Sequence, residues 1–154
     1  MENYEDCPRI LYGSDRASYC VSLDMVHMPL DIAFRSGEAY LSTLAHELAH
    51  STMHPKRLDR KVAQEPAKFG SASYSFEELV AEISASFTCA EFGFDAEIEQ
   101  SAAYVESWLR IFRNDKQMLL RASIHAQKAT DWMLGRYKQP AAEQRLEPLE
   151  ARAA

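Results

Sequence analysis

The stretch His46-Glu47-Leu48-Ala49-His50 carries the residue types of hydrolytic metal chemistry at the spacing that chemistry needs. Two histidines four apart on a helix stand one turn apart, about 6 Å along the axis, so both imidazoles can reach one ion. The glutamate between them projects sideways, where it can act on a water at the ion rather than bind the ion itself. His46 and His50 are therefore expected as metal ligands and Glu47 as the catalytic base. The bland alternative is an ordinary surface helix with two solvated histidines.

A catalytic zinc site usually takes three protein ligands and keeps a fourth position open. His54 continues the four-residue spacing, but on a continuous helix it would stand about 12 Å from His46, too far to share the ion. It is expected to support the site from the second shell or to be a helix-end residue before Pro55. The better third ligand is Glu78, in Ser75-Phe76-Glu77-Glu78-Leu79-Val80-Ala81-Glu82. Ser75 and Glu78 have capping-box spacing, and Phe76, Leu79, Val80, Ile83 and Phe87 form an apolar stripe. Glu78 and Glu82 fall on the other face among Ala81, Ala85 and Cys89, whose small side chains would let a histidine helix approach. Glu78 is expected as ligand and Glu82 as the carboxylate that orients a ligand histidine. Against this stands a solvated acidic face at a helix start. Glu77, about 100° around the helix, is expected to matter little. Tyr74 either steadies a developing oxyanion or, preceding the helix, serves as a hydrophobic staple.

The elements that must hold these groups follow from periodicity. Leu41, Leu44, Ala45 and Leu48 recur at i, i+3, i+4 and i+7 and predict a helix over residues 36 to 54. A second helix should run to about Phe92 and stop at Gly93. Before them, residues 9–12, 17–21 and 25–28 read as strands of a small antiparallel sheet, parted by turn residues. Its edge could hold an extended peptide. Residues 55–74, with Pro55, Pro66 and Gly70, form a long connection. Residues 101–134 read as helical with a break near Asn114-Asp115, where Asp115 caps the second segment. Trp108, Leu109, Ile111 and Phe112 serve the first part as core, and Leu119, Leu120, Ile124 and Trp132 the second. His125 has no expected metal role, and His27 is a strand residue near the cleft. The fold class is α+β: a small sheet followed by a helical bundle, with a domain over 1–135 and a mobile tail over 136–154.

Tyr19, Asp24, His27-Met28-Pro29, Thr43 to His50, His54, Arg57-Leu58-Asp59-Arg60 and Glu77 to Glu82 together resemble the zincin-like metallopeptidase domain of polyvalent proteins. That domain forms the C-terminal half of ArdC-type antirestriction proteins. Ala103-Tyr104, Ser107-Trp108-Leu109, Asn114-Asp115-Lys116 and Ala126 to Ala129 extend the likeness over about residues 8 to 134. The resemblance implies a zincin fold with a gluzincin-like site: His46, His50 and Glu78 as zinc ligands and Glu47 as general base. The family design also has an N-terminal single-stranded-DNA-binding domain, for which 154 residues leave no room. Binding to DNA is therefore expected from a separate domain or protein.

Composition agrees with one domain: 154 residues with 47% hydrophobic content can build a single core. A net charge of −6 disfavours direct contact with a phosphate backbone. The one basic run, Lys56, Arg57, Arg60 and Lys61, reads as a solvated helix end rather than a DNA contact. Cys7, Cys20 and Cys89 form no C-x-x-C pair, which points away from a disulfide framework and toward a reducing compartment. No apolar run is long enough to span a membrane, and a cytoplasmic location is expected. The expected partner is a peptide or protein substrate. A zinc peptidase is the leading reading; the other is a non-hydrolytic metal-containing binding module in antirestriction or mobile-element defence evasion. An intact Glu47 favours the first, since a structural ion needs no base beside it.

Overall fold

The computed structural model describes residues 4–60, 72–94, 115 and 117–138. Three short strands come first: β1 (Arg9–Tyr12), β2 (Ser18–Cys20) and β3 (Met25–Met28). Among the described residues three α-helices follow: α1 (Gly37–Ser51), α2 (Ala72–Glu91) and α3 (Met118–Met133). The architecture is α+β, as expected.

The sheet is mixed rather than antiparallel. Its order is β1-β3-β2, with β1 parallel to β3 and β2 antiparallel to it. The reason lies in the two links. After β2, a 3-10 turn over Val21–Leu23 and Asp24 in the left-handed region at φ 46° reverse the chain tightly, so β2 and β3 form a hairpin. After β1, the chain crosses the end of β3, where Gly13 and Ser14 both donate backbone N–H groups to the Met28 carbonyl. Gly13 supplies the positive φ this crossing needs, at 94°. Val26 and Met28 point from β3 into the core, and His27 faces the other way.

Ser36 starts α1: its hydroxyl accepts from the Ala39 N–H at 3.1 Å. Leu44, Ala45 and Leu48 are fully buried, as the stripe predicts, but so are Ser42, Ala49 and Ser51, because α1 is covered from more than one side. The helix ends at Ser51, and a turn continues through His54 before Pro55. Residues 55–60 then fold back, with Leu58 and Arg60 donating to the Thr52 and Met53 carbonyls.

The second helix begins at Ala72, upstream of the expected start. Ser75 is inside it, so the Ser75/Glu78 capping box does not form and the Glu78 carboxylate is free for other work. It ends at Glu91, with Gly93 at φ 81° just beyond, as the stop signal predicts. The third helix turns differently from its expected face. Leu119, Leu120 and Ile124 are 48%, 65% and 52% exposed, whereas Met118, Ala122, Ala126, Ala129 and Met133 are buried. The small residues win because they let α3 lie close against α2; larger side chains there would hold the helices apart. Asp115 is not the cap: Gln117 holds that position without a side-chain capping bond, and Asp115 accepts from the Gln117 N–H at 3.0 Å in the turn before the helix. Trp132 is partly buried against the main core and donates to the Glu5 carbonyl at 3.2 Å.

Tyr4, Val26, Met28, Leu44, Leu48, Ala49, Ala81 and Met133 make one core between sheet and helices. Leu79, Val80, Met118, Ala122 and Ala126 make a second between α2 and α3. The expected core residues 108–112 and the tail from 139 lie outside the described residues. Residues 136 and 137 do not run free: their N–H groups donate to the Asp131 carbonyl, and Tyr137 lies against Trp132. Among the described residues, no helix is long and apolar enough to cross a membrane.

Candidate metal centre

The packing of α1 on α2 brings the predicted donors together. His46 Nε2 and His50 Nε2 are 3.1 Å apart, their rings edge to face. Glu78 spans both: one carboxylate oxygen is 3.7 Å from His46 Nε2 and the other 3.6 Å from His50 Nε2. One donor atom from each residue lies within 4.8 Å of the others, an arrangement that can hold a metal ion. Two imidazole nitrogens bound tetrahedrally at about 2.0–2.1 Å would stand roughly 3.3–3.4 Å apart, so the spacing suits an ion with little movement. The donor chemistry suits it as well, with two nitrogens and one carboxylate.

Each imidazole has a carboxylate facing its other ring nitrogen. His46 Nδ1 lies 3.7 Å from Glu82, the carboxylate expected to orient it. His50 Nδ1 lies 3.7 Å from Glu77. Glu77, expected to matter little, is 5% exposed and faces α1 beside Glu78. The 100° separation does not take it away from α1, because α1 sits over the shared turn of α2, within reach of both adjacent glutamates.

Arg60 fixes Glu77 in turn. Its Nε donates to one Glu77 oxygen at 3.0 Å and a terminal nitrogen donates to the other. The same guanidinium donates to Thr52 Oγ1 at 2.6 Å and the Ala49 carbonyl at 3.1 Å. Arg57 plays the equivalent part toward the sheet, donating to the Ser51 carbonyl at 2.7 Å, the Asp6 carbonyl at 2.6 Å, Tyr19 and Asp24. The solvated-helix-end reading of the basic run thus fails for Arg57 and Arg60, both buried. Each adds a side-chain donor to a carbonyl at the end of α1, Ser51 or Ala49, that also accepts a backbone N–H from the turn that follows. Lys56 remains largely exposed, and Lys61 lies outside the described residues.

These neighbours set the charges. Burial alone would lower the His50 pKa, but Glu77, Glu78 and Glu47 raise it to about 9. Positive charge is favoured at that point. Burial would raise the Glu77 and Glu78 carboxyls, yet Arg60 and His50 hold the first below the usual range, and His46 and His50 the second.

Glu47 is 8% exposed on the same turn of α1 as the histidines and is not one of the clustered donors. Tyr74 is inside α2, one turn before Glu78, and its hydroxyl hydrogen-bonds the Glu78 carboxylate. The staple reading does not apply to it. His54 is not one of the clustered donors; its Nδ1 lies 3.8 Å from Asp24 at the end of the α1 turn. His125 packs edge-on against Phe76 and is not one of the clustered donors. Sequence reasoning missed Glu77, Arg60, Arg57 and Asp24 as a bracing set. The available signal was arginines within a few residues of a helix end, followed by a helix with adjacent glutamates.

Residues 6–125 match the family described as zincin-like metallopeptidase. The chain is 38% identical over 140 residues to the DNA primase TraC of Escherichia coli, covering 88% of this chain and 13% of that protein. It is 36% identical over 125 residues to the protein y4eC of Sinorhizobium fredii, covering 80% and 40% respectively. Among solved structures it is similar to the Mn(II)-bound antirestriction protein ArdC from plasmid R388, with a TM-score of 0.74 and 41% identity over 84% of this chain and 48% of that one. The metal-free structure of the same protein gives 0.72 and 40%. The chain spans less than half the length of each of these proteins.

Proposed function

Because the chain belongs to the zincin-like metallopeptidase family, we propose that it is a zinc-dependent peptidase whose ligands are His46, His50 and Glu78. The observation that carries this reading is the convergence of those three donors with the buried Glu47 carboxylate beside them. A divalent ion there would polarise the scissile carbonyl and lower the pKa of water. Zinc is the preferred ion because two imidazoles and one carboxylate form a borderline donor set. Glu47 takes a proton from the attacking water as its oxygen bonds to the carbonyl carbon, then returns a proton to the amine as the carbon–nitrogen bond breaks. Tyr74, hydrogen-bonded to Glu78, is the side chain offered to the developing oxyanion.

The substrate class is a peptide or protein, which could pair with an edge strand of the sheet. Direct nucleic-acid binding is not assigned to this domain, since Arg57 and Arg60 are spent inside the fold and the net charge is −6. A separate domain or protein would supply any DNA contact, and a cytoplasmic setting fits three free cysteines. Metal analysis with zinc and manganese, joined to a protease screen of the wild type and Glu47→Gln, tests the proposal. The variant should keep metal and fold and lose all hydrolysis, because an amide cannot accept the proton. Loss of metal would make Glu47 a ligand instead. A wild type that holds metal but cleaves nothing would favour the binding-module reading, to which the antirestriction role of the ArdC neighbour lends weight.

A further inference from the structure

The two histidines are braced unequally. Glu82 behind His46 is partly exposed, with a side chain 19% accessible, whereas Glu77 behind His50 is 6% accessible and held by both arms of a buried arginine. Arg60 comes from the turn that follows α1 and also donates to the Ala49 carbonyl, one residue before His50. The end of the histidine helix thus fixes the carboxylate that faces that helix's own imidazole. A carboxylate at Nδ1 selects the tautomer whose Nε2 lone pair points away from it, here toward His46 and Glu78.

We propose that Glu77, locked by Arg60, is a positioning residue that presents His50 Nε2 to the metal. This rests on the ligand assignment above. One turn of α2 then supplies both a ligand, Glu78, and the group that aims another. Arg60 cannot be exchanged for a lysine without loss, because a guanidinium alone can grip both Glu77 oxygens and still reach Thr52 and Ala49.

The experiment uses the whole chain and two variants. Arg60→Met with Glu77→Leu removes the buried pair together, an exchange such pairs often tolerate without unfolding. Arg60→Lys keeps the charge but loses the two-armed grip. Each is melted in chelator, titrated with zinc in competition with an indicator, and loaded with cobalt(II) for its visible ligand-field absorption. The double variant should melt cooperatively without metal, bind zinc about 10- to 100-fold more weakly and show an altered cobalt band. Arg60→Lys should shift both in the same direction by less. A double variant with zinc affinity within about twofold of wild type and an unchanged band overturns the proposal. Loss of folding by both variants also overturns it, by assigning the pair to holding the helices together. A wild type that binds no zinc or cobalt identifies failure of the ligand assignment itself.

Discussion

The second helix has two seams of opposite character. Against α1 it presents Glu77, Glu78 and Glu82 to two histidines and an arginine. Against α3 it presents Leu79, Val80 and Ser84 to Met118, Ala122 and Ala126. The first seam gathers carboxylates that repel one another without a cation between them. The second gains from close apolar contact and needs nothing added. The difference teaches how α2 can carry one buried and two half-buried carboxylates on one side: the α3 seam holds the helix in place, and the α1 seam can then be shaped for chemistry. Substitutions on the two seams should consequently separate metal affinity from stability.

The largest effect should come from the ligands. His46→Ala with His50→Ala should leave no stoichiometric metal while the chelated protein still folds, read by elemental analysis and circular dichroism. Stoichiometric metal in that double mutant would sink the assignment. Next comes the order among the carboxylates. Glu78→Ala removes a proposed donor and should weaken zinc by more than the roughly 10- to 100-fold expected of Glu82→Ala, if that carboxylate only orients His46. Competition titrations of both variants decide it. A greater loss with Glu82→Ala would exchange their roles.

Acid should act on the first seam before the second. Glu77 and Asp24 both titrate below the usual carboxylate range when folded, held down by Arg60 and Arg57 respectively against the opposing effect of burial. In the unfolded chain their pKa values return to about 4. The stability they contribute is therefore present above that value and is lost as pH falls through the lower folded values. Melting temperature in chelator should drop on acidification below about pH 4, and Arg60→Met with Glu77→Leu should flatten that drop. An acid limb as steep as that of the wild type would mean that other carboxylates dominate it.

Much of the α1 seam was legible in the sequence because its chemistry is local. His46 and His50 share a helix face, and Glu78 and Glu82 share another, so two periodicities suffice to bring the donors together. The pairing of Glu77 with Arg60 was not legible because it depends on how residues 52–60 fold back, which no periodicity encodes. The parallel pairing of β1 was hidden for the same reason: it follows from a crossing past Met28, not from strand composition. The α3 seam was misread because hydrophobicity alone favoured Leu119, Leu120 and Ile124 as core. Helix packing rewards close approach, and the face of Ala122, Ala126 and Ala129 offers it.

That misreading yields the smallest predicted effect and the sharpest control. Leu120 is 65% exposed on the outer side of α3, so Leu120→Ser removes little buried area and should change stability by about 0.5 kcal/mol or less. Ala126 is fully buried on the inner side, where Ala126→Leu forces extra volume into a close seam and should cost about 1–3 kcal/mol. Urea unfolding in chelator measures both. Zinc affinity of whichever fraction is folded should stay near wild type in each, since neither residue touches the α1 seam. If Leu120→Ser proved the more damaging, the apolar face of α3 would have to be covered in solution, and the sequence-based choice of core would be restored. If Ala126→Leu instead weakened zinc while stability held, the two seams would be mechanically coupled through α2, and the separation of stability from metal binding would fail.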